Sequence, residues 1–89
     1  MAGAAPSDLL ETMRFEPDDG ILDLEAHLER MKARAEAQDF SFDRHHARNE
    51  LQAATFFLAS PSLIKLRLSP RGSIAIEARP LSLTKGNEE

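Results

Sequence analysis

Two side chains of one predicted helix, His27 and Arg30, are the residues best placed to do chemistry. They are three positions apart, so a helix projects both from one face. A guanidinium offers paired N–H donors that match the oxygens of a phosphate or carboxylate, and the spacing therefore indicates an anion site at Arg30. The alternative is a solvated arginine that pairs with Glu29 or with a strand carboxylate. For His27 we expect a hydrogen-bonded packing role.

A second basic group lies on a predicted strand near the end of the chain. Lys65 and Arg67 alternate with apolar residues, so both side chains project from one face of that strand. The residues alone favour an ordinary exposed sheet face. Glu11 and Arg14 project from opposite faces of an earlier strand.

Composition excludes several classes of protein. A chain of 89 residues forms one domain at most, and it contains no cysteine for disulfides, thiolate metal sites or nucleophilic catalysis. Three scattered histidines make a zinc site an unfavourable hypothesis. The net charge of −4 argues against nucleic-acid binding, despite a small basic patch at 44–48. No apolar run approaches the ~20 residues of a membrane span, so we expect no membrane partner. The absence of cysteine fits a reducing compartment, and we expect a cytoplasmic location.

The first half of the chain predicts a hairpin and a helix. Alternating residues predict a strand over 9–15, a turn over 16–20 and a second strand over 21–24. A helix over 24–38 follows, with Asp23 as its N-cap. Its apolar stripe has the spacing of one helical face and comprises Leu24, Leu28, Met31 and Ala35.

The second half predicts another helix and another hairpin. The helix runs over 44–59, with Asp43 as its N-cap and with Phe57 on its apolar face. Its stripe comprises Ala47, Leu51, Ala54 and Leu58. Strands over 63–68 and 73–78 then form a hairpin, and no periodicity follows.

The predicted order is ββααββ, an α+β fold with two helices on one face of an antiparallel sheet. We expect a small domain over 9–81. Residues 1–8 are small and polar and predict a flexible N-terminal tail. Residues 82–89 predict a flexible tail or the start of a linker.

The string His27-Leu28-Glu29-Arg30 resembles the helix motif His-Leu-x-Arg of the fold-type IV pyridoxal-phosphate enzymes, the class IV aminotransferase group. Other strings fall in that family's order: Glu11-Thr12-Met13-Arg14, Asp19-Gly20, Lys32-Ala33-Arg34-Ala35 and Phe40 to Asp43. Residues 10–14 and 69–81 look most like the 4-amino-4-deoxychorismate lyase branch. That branch includes copies fused to aminodeoxychorismate synthase component I.

The resemblance implies the small N-terminal domain of a pyridoxal 5′-phosphate enzyme, in which Arg30 binds the cofactor phosphate. It implies substrate-binding roles for Lys65, Arg67 and Arg14, although the family has an arginine at about the position of Lys65. Glu11 would lie near the mouth of the active site. The implied reaction converts 4-amino-4-deoxychorismate to 4-aminobenzoate and pyruvate, in folate biosynthesis.

Pyridoxal-phosphate chemistry needs a lysine amine to form a Schiff base. The resemblance places that lysine in a second, larger domain, and Lys32, Lys65 and Lys85 do not match its context. We therefore expect no catalytic residue in this chain and no covalent attachment of the cofactor to it alone. The expected partner is a complementary lysine-bearing domain or another copy of the chain.

Two other functions stay open. The same scaffold could carry a class IV amino-acid transaminase of the branched-chain or D-amino-acid type. The chain could instead be a non-catalytic interaction module that dimerises through an exposed sheet or helix face.

Overall fold

A computed structural model describes residues 7–81, and within them the predicted α+β fold in the order ββααββ is confirmed. Two helices cover one face of a four-stranded antiparallel sheet. Residues 1–6 and 82–89 lie outside the described residues, so the predicted tails and domain limits stay predictions. The elements are β1 (Leu9–Glu16), β2 (Gly20–Ile21), α1 (Leu24–Gln38), α2 (Arg44–Thr55), β3 (Ser62–Leu68) and β4 (Ile74–Pro80).

The sheet has the order β2-β1-β3-β4, so β1 and β3 are its central strands. In the register of β1 and β3, Glu11 lies opposite Leu66 and Thr12 lies opposite Lys65. Side chains alternate along a strand. Glu11 and Leu66 therefore face the helices, whereas Thr12 and Lys65 lie on the other face, which we call the outer face.

The hydrophobic core lies between the helices and the inner sheet face. The predicted stripe of α1 packs there, with Leu28 and Met31 fully buried. From α2, Ala47 and Leu51 are fully buried as well. The sheet supplies Met13, Phe15, Ile64, Leu66 and Leu68. Neither α1 nor α2 is long and apolar enough to cross a membrane.

The entry into α1 differs from the prediction. β2 has only two residues; one further hydrogen bond follows, from the Leu22 N–H to the Arg14 carbonyl at 2.8 Å, and the chain then turns at Asp23. Asp23 has a left-handed backbone, with φ of 57°, and its side chain makes no capping hydrogen bond. Asp43 does cap α2, since its Oδ1 accepts a hydrogen bond from the His46 N–H at 3.1 Å.

The predicted end of α2 at residue 59 is wrong, because the helix ends at Thr55. Thr55 is buried in place of Ala54, and its hydroxyl donates to the Leu51 carbonyl at 2.9 Å. Such back-bonding competes with regular helix geometry. Phe57 does not join the apolar face and is 88% exposed. The last strand is longer than predicted, since β4 continues to Pro80.

Two leucines of β3 provide a matched test of this packing. Leu66→Ala should lower the free energy of unfolding by about 2–5 kcal/mol, because it opens a cavity under the helices. Leu63→Ala, on the outer face of the same strand, should cost less than about 1 kcal/mol because Leu63 is exposed. Urea unfolding of both variants measures the difference, and equal costs would contradict the assigned faces.

Candidate anion site at Glu11 and Arg30

A buried carboxylate marks the inner face of β1. Glu11 occupies a position that strand alternation directs towards the helices, in line with Met13 and Phe15. Its side chain is only 7% exposed. An unpaired charge at such a position is strongly destabilising, so α1 must supply partners for it.

Three side chains of α1 meet this carboxylate. His27, Arg30 and Arg34 follow one another at spacings of three and four residues, which a helix places along one face. Nδ1 of His27 lies 2.8 Å from Glu11 Oε1, and Nη1 of Arg34 lies 3.0 Å from Oε2. Nε of Arg30 lies between the two oxygens, 3.4 Å from Oε1 and 3.2 Å from Oε2. His27 is hydrogen-bonded as predicted, and its packing role stays a prediction.

These contacts determine the ionisation of Glu11. Burial by itself raises the pKa of the carboxyl group, but the His27 hydrogen bond, the charge of Arg30 and the Arg34 hydrogen bond outweigh it. The pKa of Glu11 is consequently below the ordinary value of 4.5. Two guanidinium groups face one carboxylate, so the cluster keeps an excess of positive charge.

Arg34 also ties the cluster to the edge of the sheet. Its Nη1 donates to the Leu10 carbonyl at 2.7 Å. The Arg14 carbonyl, four residues further along β1, accepts a hydrogen bond from the Leu22 N–H on the β2 side of the strand. Carbonyl groups four residues apart in a strand point to the same edge, so the Leu10 carbonyl also points to the β2 side. Because β2 pairs only with residues 15 and 16, this part of the β1 edge is not covered by β2.

The arrangement at Arg30 suits a small anion. Its Nε is held by Glu11, whereas its side chain remains 56% exposed. Among residues 7–81, no hydrogen-bond partner contacts its two terminal nitrogens. A guanidinium anchored through Nε presents those nitrogens as a fork for a phosphate or carboxylate. The cofactor role of Arg30 itself stays a prediction.

The three predicted substrate-binding residues share the outer face of the sheet. Lys65 and Arg67 are on β3, and Arg14 is on β1 opposite Leu63. Arg14 pairs with Glu16 at 2.7 Å. Within the described chain, Lys65 and Arg67 have no carboxylate within 4.0 Å. Their substrate role is a prediction that the geometry leaves open.

A fourth cation, Arg79, belongs to the same face. It lies on β4 opposite Leu63, so Leu63 separates it from Arg14. A shallow groove on this face is lined by Thr12, Leu63, Lys65, Glu77 and Arg79. Sequence reasoning missed Arg79 because it ended the last strand at residue 78.

Arg30 and the outer-face cations lie on different sides of the sheet. Arg30 reaches Glu11 from the helix side, whereas Arg14, Lys65 and Arg67 project from the helix-free side. The described residues therefore form two basic groups, one on each side of the sheet.

The basic patch at 44–48 is largely neutralised by α1. Arg48 and Arg44 both bind Glu25, with closest distances of 2.6 and 2.9 Å, and Arg44 also pairs with Glu29. Hydrogen bonds from Arg48 and Arg44 lower the pKa of Glu25 to about 2. These ion pairs connect α1 to α2.

Comparison with known proteins gives one informative similarity. No protein-family model and no curated protein matches the chain. Among solved structures, the chain is similar to a protein from Mesorhizobium loti described as a "putative amino-acid aminotransferase", with 27% sequence identity and a TM-score of 0.76. The similarity covers 82% of this chain and 35% of the other, so this chain spans about a third of that protein's length. It supports an aminotransferase-like fold.

Acid should remove the stabilisation that ionised Glu11 provides. Because its pKa is lower in the folded state, this contribution is present above pH 4.5 and is lost as the pH falls through the folded value. At neutral pH the free energy of unfolding of wild type should be about 1–3 kcal/mol higher than that of Glu11→Gln. This difference should become smaller as the pH is lowered. Urea unfolding across pH measures it.

Glu16→Gln removes the same charge at the Arg14 ion pair and serves as the control. It should stay within about 0.5 kcal/mol of wild type, as expected for a surface pair. A difference between wild type and Glu11→Gln that does not change on acidification would contradict the account.

Proposed function

We propose that this chain is the small domain of a pyridoxal-phosphate-dependent 4-amino-4-deoxychorismate lyase. A lysine-bearing domain completes it, and the product is 4-aminobenzoate together with pyruvate. One observation carries the proposal: Arg30 is anchored on a buried carboxylate with its terminal nitrogens unpaired among residues 7–81. The aminotransferase-like fold supports the same assignment.

The residues present fit the phosphate of the cofactor. Arg30 offers two donors in a fixed plane, and the excess positive charge around Glu11 favours a dianion. Bound pyridoxal phosphate supplies an electron sink for the substrate's reacting carbon. The role of this chain is to bind the phosphate group of the cofactor and thereby to position its pyridine ring.

The outer face suits the substrate. Lys65 and Arg67 are two residues apart on β3, about 6.6 Å along the strand, and both lack an ion-pair partner within the described part of the chain. A substrate with two carboxylates needs more than one cation, which favours the lyase substrate over a simple amino acid. In this proposal the ligand has its phosphate at Arg30, passes the uncovered edge of β1 and crosses that strand on the outer face, so that its carboxylates reach Lys65 and Arg67 on β3.

The proposal assigns the Schiff-base lysine to the completing domain, because both lysines among residues 7–81 have other contacts or roles. Lys32 is half-exposed on α1 and pairs with Glu36 at 3.5 Å. Lys65 lies on the sheet face, where the proposal gives it a carboxylate to bind. A class IV amino-acid transaminase is the alternative reaction on the same scaffold.

The reaction is tested on the chain joined to its lysine-bearing domain. It should release 4-aminobenzoate from 4-amino-4-deoxychorismate, measured by product fluorescence. Lys65→Gln should lower kcat/KM about tenfold, because a charge-assisted contact to a carboxylate is lost. Arg71→Gln, in the exposed β3–β4 turn, is the matched control and should leave kcat/KM within about twofold.

If the joined protein transfers the amino group of branched-chain or D-amino acids and releases no 4-aminobenzoate, the lyase assignment is wrong and the transaminase assignment is favoured. Equal losses in Lys65→Gln and Arg71→Gln would contradict the substrate role of the outer face.

A second candidate function, a dimerising interaction module, rests on one apolar surface. Phe56 and Phe57 follow α2 and are 75% and 88% exposed, with ring centroids 4.9 Å apart in an edge-to-face arrangement. A groove beside Phe56 includes Phe15, Ile21 and Leu24. Exposed aromatic surface next to a groove of mixed polar and apolar lining is typical of interaction sites.

If this surface mediates dimerisation, Phe57→Ser should convert a dimer to a monomer without unfolding the chain, because Phe57 contributes little to the core. Light scattering after size exclusion measures the mass, and Leu63→Ser on the outer face is the control. A wild-type monomer would exclude the dimer. Absorbance of a purified dimer near the Schiff-base band would contradict a purely structural module.

A further inference from the structure

We propose that Glu11 is the positioning residue for the phosphate clamp: it orients Arg30 so that the terminal nitrogens, and not Nε, bind a phosphate monoester. The inference rests on the proposed phosphate role of Arg30 and deepens it. It assigns a function to a buried charge that packing alone does not require. An apolar side chain would fill the same space without the cost of desolvation.

The geometry around the carboxylate carries this inference. His27 fixes one oxygen of Glu11 at 2.8 Å, and Arg34 fixes the other at 3.0 Å. Arg34 is itself anchored on the Leu10 carbonyl. The plane of the carboxylate is therefore set by its outer partners, and Nε of Arg30 lies between the two oxygens at 3.2 and 3.4 Å.

This arrangement limits the freedom of a long side chain. A free arginine samples many rotamers, and binding an anion requires most of that freedom to be lost. Glu11 holds the guanidinium at Nε before any ligand arrives. The remaining donors are then preorganised at the exposed end of Arg30.

Positioning and simple electrostatics predict opposite signs for one substitution. Glu11→Gln removes a negative charge beside the proposed phosphate, so Coulomb attraction alone predicts tighter binding. A neutral amide cannot accept from His27, Arg30 and Arg34 as a carboxylate does, so positioning predicts weaker binding. Glu16→Gln removes the same charge elsewhere and is the matched control.

The binding experiment uses the 89-residue chain and pyridoxine 5′-phosphate, which lacks an aldehyde and cannot react with lysines. Pyridoxine is the phosphate-free control, and NMR titration gives the dissociation constants. Arg30→Gln should weaken binding of the phosphate compound about tenfold, and Glu11→Gln about three- to tenfold. Glu16→Gln should change it less than about twofold, and pyridoxine binding should not respond.

Each outcome separates the two ideas. If Arg30→Gln loses affinity but Glu11→Gln keeps it or gains it, the positioning role is wrong and the phosphate role stands. If Arg30→Gln binds as wild type does, or wild type does not bind, the phosphate role of Arg30 in this chain is wrong. If circular dichroism shows that Glu11→Gln does not fold, Glu11→Asp is the second variant. It keeps the charge but moves the carboxylate oxygens away from Arg30, so it should still weaken binding.

A ligand-free measurement tests the same contact. The Nε–H NMR signal of Arg30 should exchange slowly with water in wild type, because Glu11 accepts its hydrogen bond, and quickly in Glu11→Gln. Arg67, which has no ion-pair partner in residues 7–81, gives the reference for free exchange. Equal exchange at Arg30 and Arg67 in wild type would overturn the proposal.

Discussion

One buried carboxylate couples the first strand of this domain to its first helix. Glu11 faces the core, where its charge is tolerated only because α1 brings His27, Arg30 and Arg34 to it. A one-residue slip of β1 would turn Glu11 outwards and place Thr12 in the core. The ion cluster therefore helps to fix the strand register, and it leaves the terminal nitrogens of Arg30 without a partner among residues 7–81.

Charge is distributed unevenly over an acidic chain. Carboxylates of α1 neutralise Arg44 and Arg48 of α2, so the helix layer contributes little free positive charge. The outer sheet face instead carries Arg14, Lys65, Arg67 and Arg79 against Glu16 and Glu77. A net charge of −4 thus coexists with a group of cations on the outer face of the sheet.

The sequence predicted the fold well because periodicity is a local property. The stripe of α1 and the alternation of β3 each determined an element and its buried face. It predicted less about the site, because the partners of Glu11 come from α1, which begins at residue 24 and contacts Glu11 only in the folded chain. A charged residue in phase with Met13 and Phe15 was the available indication. The exposure of Phe57 was not predictable either, since it depends on where α2 stops.

The most direct test of the central claim is a crystal structure of the chain with pyridoxine 5′-phosphate. We expect phosphate oxygens about 2.8 Å from the terminal nitrogens of Arg30, with Nε still hydrogen-bonded to Glu11. A phosphate bound only on the outer face at Lys65 and Arg67, with Arg30 unengaged, would contradict it.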